Sequence, residues 1–495
     1  MDFAMPGGGG VVYMVGIKGT GMCALAELLD DAGVWVTGSD RAETFYTSAI
    51  LDALGIPYYE SFARGHIPDN AALVVYSAAY DPAVHVELLE AAERGIPVLK
   101  YTEALGAFSA RFDSSGIAGV HGKTTTTAMT GSLLRALGLP AKVLAGSAVG
   151  TFGDGSAGGA RSTLSLGDKY FVAETCEYRR HFLSFHPRRI VLTGVESDHQ
   201  DYYPTYESIR GAFLEYIALL PAGGELIYSA DDPGAVETAA LAARAASDAG
   251  KLLRLVPYGF SAAGDFRIAA FRAGHERLVF SLAGFPGEFS LRVPGRHSAQ
   301  NAAAALALAG SLFRAEYGDG AFTGPALEKA RAGLLDFTGS RRRAEILGEA
   351  GGVLFMDDYG HHPTAIRTTL AGLREFYPAR RLVVSFMSHT YTRTRALMDD
   401  FAASFEDAGA VFLHKIYGSA REDAAAFAID GRTLYEKTRL LRGAVFYVDE
   451  PLDAAGEVEA MLRPGDIFLT LGAGDNWKLG RLLFEKFRAE EEKRR

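Results

Sequence analysis

The chain has 495 residues, 48% hydrophobic and 22% charged, with a formal charge of −10 and a pI near 5.7. That length exceeds what one hydrophobic core supports and points to about three domains. The acidic balance excludes non-specific binding to nucleic acid or an anionic membrane, leaving room only for local basic pockets.

Cys23 and Cys176 are far apart and lack metal-ligand spacing, so neither a disulfide scaffold nor a cysteine-zinc site is expected; a reducing cytoplasm fits. The leader MDFAMPGGGG has neither the basic nor the apolar part of a signal peptide and reads as flexible. No apolar run is long enough for a transmembrane helix.

The first block alternates strand candidates (Val11–Ile17, Val34–Thr37, Leu73–Tyr76, Pro97–Lys100) with helical stretches at Met22–Asp31 and Ala83–Arg94. Its opening, VVYMVGIKGTGMCALAELL, sets Gly19-x-Gly21-x-x-Ala24 between strand and helix, with Asp40 about 20 residues on. This is the dinucleotide-binding fingerprint, in which glycines let backbone approach a diphosphate at a helix N-terminus. Taken alone it indicates an NAD-dependent oxidoreductase. The polar segment SARFDSS reads as a turn-prone joint closing the block.

The second block opens on GIAGVHGKTTTTAMTGSLLRALG, again strand, loop and helix. In Gly119-Val-His-Gly122-Lys123-Thr124 the glycines turn N–H groups onto phosphate oxygens. Lys123 would contact the β- and γ-phosphates and the Thr124 hydroxyl would ligate Mg²⁺. Strict Walker spacing needs a glycine at position 117, which is Ile117, so this is a shortened variant loop. Strands are expected at Tyr170–Ala173, Ile190–Thr193 and Glu225–Tyr228, with a helix around Tyr206–Leu220. Glu174, with Glu177 following, and the pair Asp198–His199 stand at strand ends near the loop. One glutamate with Thr124 and nucleotide phosphate would make a magnesium site, and His199 would hold a second cation or orient substrate. The alternating runs between Phe266 and Pro294 predict an antiparallel patch, and an alanine-rich helix, Ala299–Tyr317, closes the block.

The third block follows the polar joint DFTGSRRRAE, with strands expected at Val353–Met356, Leu382–Phe386, Ala410–Leu413, Ala444–Val448 and Asp466–Leu471 and a charged tail, FEKFRAEEEKRR. Asp357, Asp358, Tyr359, His361 and His362 occupy one strand-to-helix corner, and Pro363 suits the first turn of the following helix. The two adjacent histidines diverge in direction, so hydrogen bonding to a ribose and a polar substrate is expected there rather than paired metal ligation. The loop SHTYTRTR offers His389, Tyr391, Arg393 and Arg395, and an arginine there would clamp a carboxylate.

Taken together, GIKGTGM, SD at Ser39–Asp40, YSAA, GVHGKTTTT, DHQDYY, GRHSAQN, FTGSRRRAE, DDYGHHP and GAGD resemble, in order and over nearly the whole chain, the Mur ligases. The resemblance implies three α/β domains: Rossmann-like for a UDP-sugar (1–110), P-loop ATPase-like for ATP (111–338), and Rossmann-like for the incoming amino acid (339–495). It implies ATP-dependent joining of L-alanine to the lactyl carboxylate of UDP-N-acetylmuramate through an acyl phosphate, with ATP and Mg²⁺ or Mn²⁺ as cofactors. The expected partners are small molecules, without nucleic acid or membrane, and a monomer or weak homodimer is expected.

By the same resemblance, Gly16, Gly19, Thr20 and Gly21 hold the UDP-sugar diphosphate, while Ser39, Asp40, His66 and Ser77 lie on the uridine side. Gly119, His121, Gly122, Lys123, Thr124 and Thr125 form the ATP loop, and Thr124, Glu174 and His199 ligate metal. His297 and Asn301 lie near adenine, Arg343 is the interdomain basic residue, and Asp358 contacts ribose. Tyr359, His361 and Arg393 receive the amino acid, so that Lys123, Glu174, His199, His361 and Arg393 form the catalytic set. Domain closure is expected on hinges near 109–116 and 337–341.

The chain departs from the family pattern at Lys18 (usually Gly), Val120 (usually Thr), ETCEY (an EADES-like segment) and His389-Thr390-Tyr391, where alanine-adding members have HRY. It has no lysine between Lys169 and Lys251, so the carbamylated lysine of many members is absent, as in the alanine-adding branch. A ligase attaching a tripeptide in cell-wall recycling is the near alternative. An NAD-dependent oxidoreductase, or a non-catalytic nucleotide-dependent binding protein, is more remote.

Overall fold

A computed structural model of the chain describes residues 10–43, 45–153, 159–274, 276–418, 422 and 426–494. Residues 1–9 of the expected flexible leader lie outside the described residues.

Four sheets organise the described residues. The first joins β1 (Val11–Val15), β2 (Trp35–Ser39), β3 (Tyr58–Tyr59), β4 (Ala71–Tyr76) and β5 (Val98–Lys100) in the order β3-β2-β1-β4-β5, all parallel. Strand order reverses at β1, and the glycine loop Gly16–Gly21 leaves its C-terminal end, where open α/β sheets bind ligands.

The second sheet contains β6 (Asp113–Ala118), β7 (Ala141–Val149), β8 (Arg161–Ser165), β9 (Tyr170–Glu174), β10 (Arg189–Leu192), β11 (Glu225–Ser229) and β12 (Arg254–Tyr258). Its order is β12-β11-β10-β6-β9-β7-β8, parallel except for the β7–β8 pair. β6 lies between β9 and β10, with Ile117 opposite Glu174 and Ala118 opposite Leu192. Glu174 and the residues after Leu192 therefore share one edge with the phosphate loop.

The expected antiparallel patch is β13 (Ile268–Gly274), β14 (Arg277–Leu282) and β15 (Phe289–Leu291). The helix Arg296–Tyr317 packs against the phosphate-loop helix Lys123–Leu137. From Ala302 to Leu312 its residues are buried on every side, because alanine lets neighbouring elements approach all round it.

The last sheet runs β16-β17-β21-β18-β19-β20, with β16 (Glu345–Ala350), β17 (Val353–Asp358), β18 (Arg381–Met387), β19 (Ala410–Leu413), β20 (Val445–Tyr447) and β21 (Asp466–Gly472). Only the edge strand β16 is antiparallel. Gly372 of the helix Pro363–Phe376 lies against the central domain so closely that a β-carbon there would stand 2.5 Å from Gly295 Cα. Among the described residues no helix is long and apolar enough to cross a membrane.

Two expectations change. The joint at SARFDSS is shorter than expected, a turn over 110–112 between the helix Tyr101–Ser109 and β6, which begins at Asp113. Ser114 is buried there because its hydroxyl donates to Ser109 O at 2.6 Å, satisfying the polar atom locally. The charged tail belongs to the helix Trp477–Arg494, whose Leu479 and Leu483 are buried in the third-domain core.

Candidate functional site

Between β6 and the helix Lys123–Leu137 the chain must turn sharply, and Gly119 (φ +134°) and Gly122 (φ +81°) make the turn. A β-carbon on Gly119 would meet Thr193 Oγ1 at 2.2 Å, so the loop cannot carry a side chain there. Thr193 donates to the Ala118 carbonyl at 3.1 Å and to His121 O, pinning the loop from β10. Asn301, on the helix Arg296–Tyr317, accepts from Thr126 at 3.3 Å and buttresses the other side.

Lys123 curls over this turn. Its Nζ donates to Gly119 O at 2.5 Å and to Glu177 at 2.9 and 3.2 Å. Burial works against its charge, but Glu177 more than compensates, so its pKa is raised. Glu177 is itself fully buried, and against that desolvation Lys123 and then His199 hold its carboxyl below the ordinary value. Glu174 accepts the Gly146 N–H at 2.9 Å.

One cavity gathers the residues expected on the nucleotide side. His121, Gly122, Lys123, Thr124 and Thr125 form its floor, together with Glu174. His297 and Asn301 come from the alanine-rich helix, and Arg343, Asp358 and His361 close it from the third domain. Gly119 lies beneath, in contact through its carbonyl with Lys123. Thr124 and Glu174 bring a hydroxyl and a carboxylate to the lining of this cavity, a donor set of hard oxygens that fits Mg²⁺. His199 stands apart from that lining. Its Nε2 is 3.5 Å from Glu177 and its ring packs on Tyr178 at 4.8 Å.

On the third-domain side, Asp358 ends β17 and accepts backbone N–H groups from Ala344 and Gly360, each at 2.7 Å. Tyr359 lies under the Arg342 and Arg343 guanidinium groups, 5.1 and 5.3 Å from its ring centre. His361 Nδ1 faces Tyr359 O at 3.0 Å, which leaves Nε2 as the lone-pair nitrogen. Burial, then the neighbouring Arg393, push its pKa well below the ordinary value, so the imidazole is neutral. Arg393 does clamp a carboxylate, and that carboxylate is Asp198 of the central domain. His361 and His362 diverge as expected: the first lines the cavity, the second is buried beside His121 with ring centres 5.1 Å apart. Pro363 begins the following helix, capped by His362.

The segment SHTYTRTR contains a short helix, Tyr391–Ala396, and Thr390 is its N-cap, its hydroxyl accepting the Arg393 N–H at 3.4 Å. The threonine at this departure from the family pattern thus orients Arg393 through the backbone.

In the first domain, Gly16 (φ +84°) and Gly19 carry the chain from β1 to the helix Thr20–Asp31, and Gly21 faces Tyr101 so closely that a β-carbon would meet it at 2.7 Å. Asp40 accepts the Lys18 and Arg41 N–H groups at 2.8 Å each and the Tyr80 hydroxyl at 3.1 Å. Ser39 donates to the buried Glu87 at 2.5 Å, and His66 Nδ1 lies 3.1 Å from the same carboxyl. The His66 ring stacks on Tyr59 at 3.9 Å. Ser77 continues the sheet edge after β4, its hydroxyl accepting the Ala79 N–H at 3.4 Å. Lys18 is buried: its ammonium donates to Arg41 O, Glu43 O and Glu60 at 2.9, 3.1 and 2.7 Å. It ties down the loop that carries Asp40.

Residues the motifs did not single out also line the cavity. Glu196 does so beside His121, and Asp231 takes N–H groups from Phe260, Ser261 and Gln300 at 2.8, 2.7 and 2.6 Å. Glu196 stands two residues before Asp198 and Asp231 is paired with Asp232, each just after a strand.

Comparison with known proteins follows the same division of the chain. Residues 11–113 match the family model "Mur ligase family, catalytic domain", 117–309 "Mur ligase middle domain", and 342–474 "Mur ligase, glutamate ligase domain". A protein of Treponema pallidum named UDP-N-acetylmuramate–L-alanine ligase is 51% identical over 479 residues, covering 97% of each chain. Its namesake in Borreliella burgdorferi is 37% identical over 472 residues, 94% of this chain and 97% of the relative. Among solved structures, the UDP-N-acetylmuramate-alanine ligase of Thermotoga maritima aligns with a TM-score of 0.75 at 23% identity, covering 97% of this chain and 99% of that one. A murein peptide ligase of Psychrobacter arcticus aligns at 0.65 and 22%, with the same coverage.

Proposed function

The chain belongs to the Mur ligase family, and from that premise we propose that it joins L-alanine to the lactyl carboxylate of UDP-N-acetylmuramate, consuming ATP and releasing ADP and phosphate, in peptidoglycan precursor synthesis. It is an ATP-dependent, amide-bond-forming ligase. The observation that carries the reading is the cavity that joins the Lys123 loop to Arg343, Asp358 and His361, combined with 51% identity to an alanine ligase over 97% of the chain.

A carboxylate is a poor electrophile, so the γ-phosphoryl of ATP first converts it to an acyl phosphate. The amine then attacks the carbonyl, the tetrahedral intermediate collapses, and phosphate leaves. In this reading Gly119, Gly122, Thr125 and the helix N-terminus receive the phosphates, and Lys123 leaves Glu177 to neutralise charge on the transferred group. Thr124 and Glu174 would hold Mg²⁺ or Mn²⁺, with His199 available to a second cation; the metal would supply charge neutralisation on phosphate oxygens. His297 and Asn301 border adenine, and Asp358 the ribose. Arg393 and Tyr359 orient the incoming amino acid, and neutral His361 offers Nε2 to its ammonium proton.

The UDP-sugar diphosphate lies on the Gly16–Gly21 loop, with Thr20 at the helix start. Ser39, Asp40, His66 and Ser77 stand on the uridine side, where Ser39 and His66 act from positions set by Glu87. Closure about residues 109–116 and 337–341 brings the three domains together, and the chain works in the cytoplasm as a monomer or weak homodimer. Small-angle scattering with an ATP analogue and UDP-N-acetylmuramate tests closure: compaction supports it, and an unchanged radius of gyration overturns it.

The test of the activity is phosphate release from Mg-ATP and UDP-N-acetylmuramate with a panel of amino acids and short peptides. Turnover with L-alanine supports the reading. Turnover with the tripeptide alone would assign the recycling reaction instead.

A further inference from the structure

The divergence of His361 from His362 leaves the second imidazole in an unusual place. His362 is 6% exposed, and its Nε2 has no hydrogen-bond partner among the described residues. Its Nδ1 receives only a long contact, 3.4 Å, from the Thr364 N–H. Beside it stands His121 of the phosphate loop, whose Nε2 is 2.6 Å from Glu196 Oε1. One ligating atom from each of His121, Glu196 and His362 lies within 4.8 Å of the others.

We propose that these three residues form a divalent-metal site, separate from the magnesium place at Thr124 and Glu174, that takes zinc or a similar transition metal in preference to Mg²⁺. Two imidazoles and one carboxylate are a three-protein-ligand zinc set, whereas magnesium demands oxygen donors. Tetrahedral bonds of about 2.0–2.1 Å place donor atoms roughly 3.4 Å apart. The observed group spans that spacing, one pair closer and the others no farther than 4.8 Å, so modest side-chain rotation brings all three to a common ion. A bound ion would satisfy the buried Nε2 of His362, which otherwise carries the penalty of an unpaired polar atom.

The site spans two domains. His121 and Glu196 belong to the central sheet's ligand edge, and His362 caps the third-domain helix Pro363–Phe376. A metal here latches the third domain onto the phosphate loop. Because His121 and Glu196 line the nucleotide cavity, the fourth position is open to water or to a phosphate oxygen. The site goes beyond the ligase reading and does not depend on which amino acid is joined.

The experiment uses metal-free full-length protein without nucleotide, titrated with Co²⁺ by visible absorption and with Zn²⁺ by calorimetry. The expected result is one equivalent of tight binding with tetrahedral Co²⁺ bands, not displaced by excess Mg²⁺. His362→Asn, which retains a capping side chain, should weaken binding by more than about 100-fold, beyond what an outer-sphere change produces. Absence of stoichiometric binding, displacement by Mg²⁺, or unchanged affinity in that variant overturns the proposal. If His362→Asn fails to fold, an anomalous difference map of zinc-soaked wild-type crystals decides: a peak among the three residues supports the site, and its absence there overturns it.

Discussion

The Arg393 guanidinium reaches from the third domain to Asp198 of the central domain, with Nη2 at 2.7 Å and Nε at 3.1 Å from the same Oδ1. Both partners are buried, at 6% and 3% exposure. Burial alone would raise the Asp198 pKa, but Arg393 overrides it and holds the carboxyl far below the ordinary carboxylate range. A depressed folded pKa contributes stability that is present above the unfolded value of about 3.9 and is lost only as pH falls through the folded value. Throughout the neutral range the bridge is therefore intact.

Removing one partner strands a buried charge. Arg393→Ala is expected to lower stability by about 3–5 kcal/mol, and combining it with Asp198→Asn should recover part of the loss. Thermal melting of the single and double variants at neutral pH checks this. Equal losses in both would refute the coupling.

Lys123 is paired with Glu177, and the proposed reaction turns it to phosphate. Lys123→Ala should cut turnover by at least about 100- to 1000-fold, the range for removing one preorganised donor from a developing anion. ADP release measured at saturating substrates reads this directly. A variant retaining more than a tenth of wild-type activity would remove Lys123 from the chemistry.

Gly146 matters through what its side chain would displace. A β-carbon there would stand 2.2 Å from Glu174 Oε2, so Gly146→Ala must push the carboxylate aside. The expected effect is an increase of about 10- to 100-fold in the Mg²⁺ concentration for half-maximal activity, the usual scale for disturbing a metal ligand's surroundings. Titrating activity with Mg²⁺ at fixed ATP tests it, and an unchanged requirement would argue against Glu174 as a ligand.

How far the sequence carried the account depended on whether a feature is local. The apolar runs of β1, β9, β18 and β21 and the glycine turns after β1 and β6 read correctly, because period and turn chemistry are local properties; of β6, DSSGIA, only the GIA end was legible. β7 and β8 were missed because AKVLAGSAV and RSTLS carry small and polar residues that only burial against neighbouring strands turns into strand. The edge strand β16, EILGEA, was missed likewise. At the site, the residues of the phosphate loop were legible as a motif, whereas Asp198–Arg393 and His121–Glu196–His362 join residues far apart in the chain that no spacing announces. Lys18 looked anomalous in a glycine position because its acceptors, Arg41 O, Glu43 O and Glu60, are assembled only by the fold.

Glu27 offers a pH prediction at the junction of the first two domains. It lies on the helix Thr20–Asp31, accepts from Thr163 of β8 at 2.9 Å, and burial raises its pKa to about 7. Between about pH 4.3 and 7 the unfolded chain loses this proton while the folded chain keeps it. Stability therefore falls as pH rises through that window, by an order of 1–3 kcal/mol, and levels off above it. Glu27→Gln should flatten this part of the profile. A melting-temperature series from pH 4 to 8 in both proteins checks it, and parallel profiles would contradict it.

The central claim is that one cavity, shared by the central and third domains, couples ATP cleavage to amide formation with L-alanine. Its most direct measurement is phosphate release by the purified chain with UDP-N-acetylmuramate, Mg-ATP and L-alanine, set against omission of each substrate and replacement of L-alanine by the tripeptide. The account predicts ADP and phosphate in equal amounts only when all three are present, with product formed on the lactyl carboxylate. Turnover with the tripeptide and none with L-alanine would contradict it.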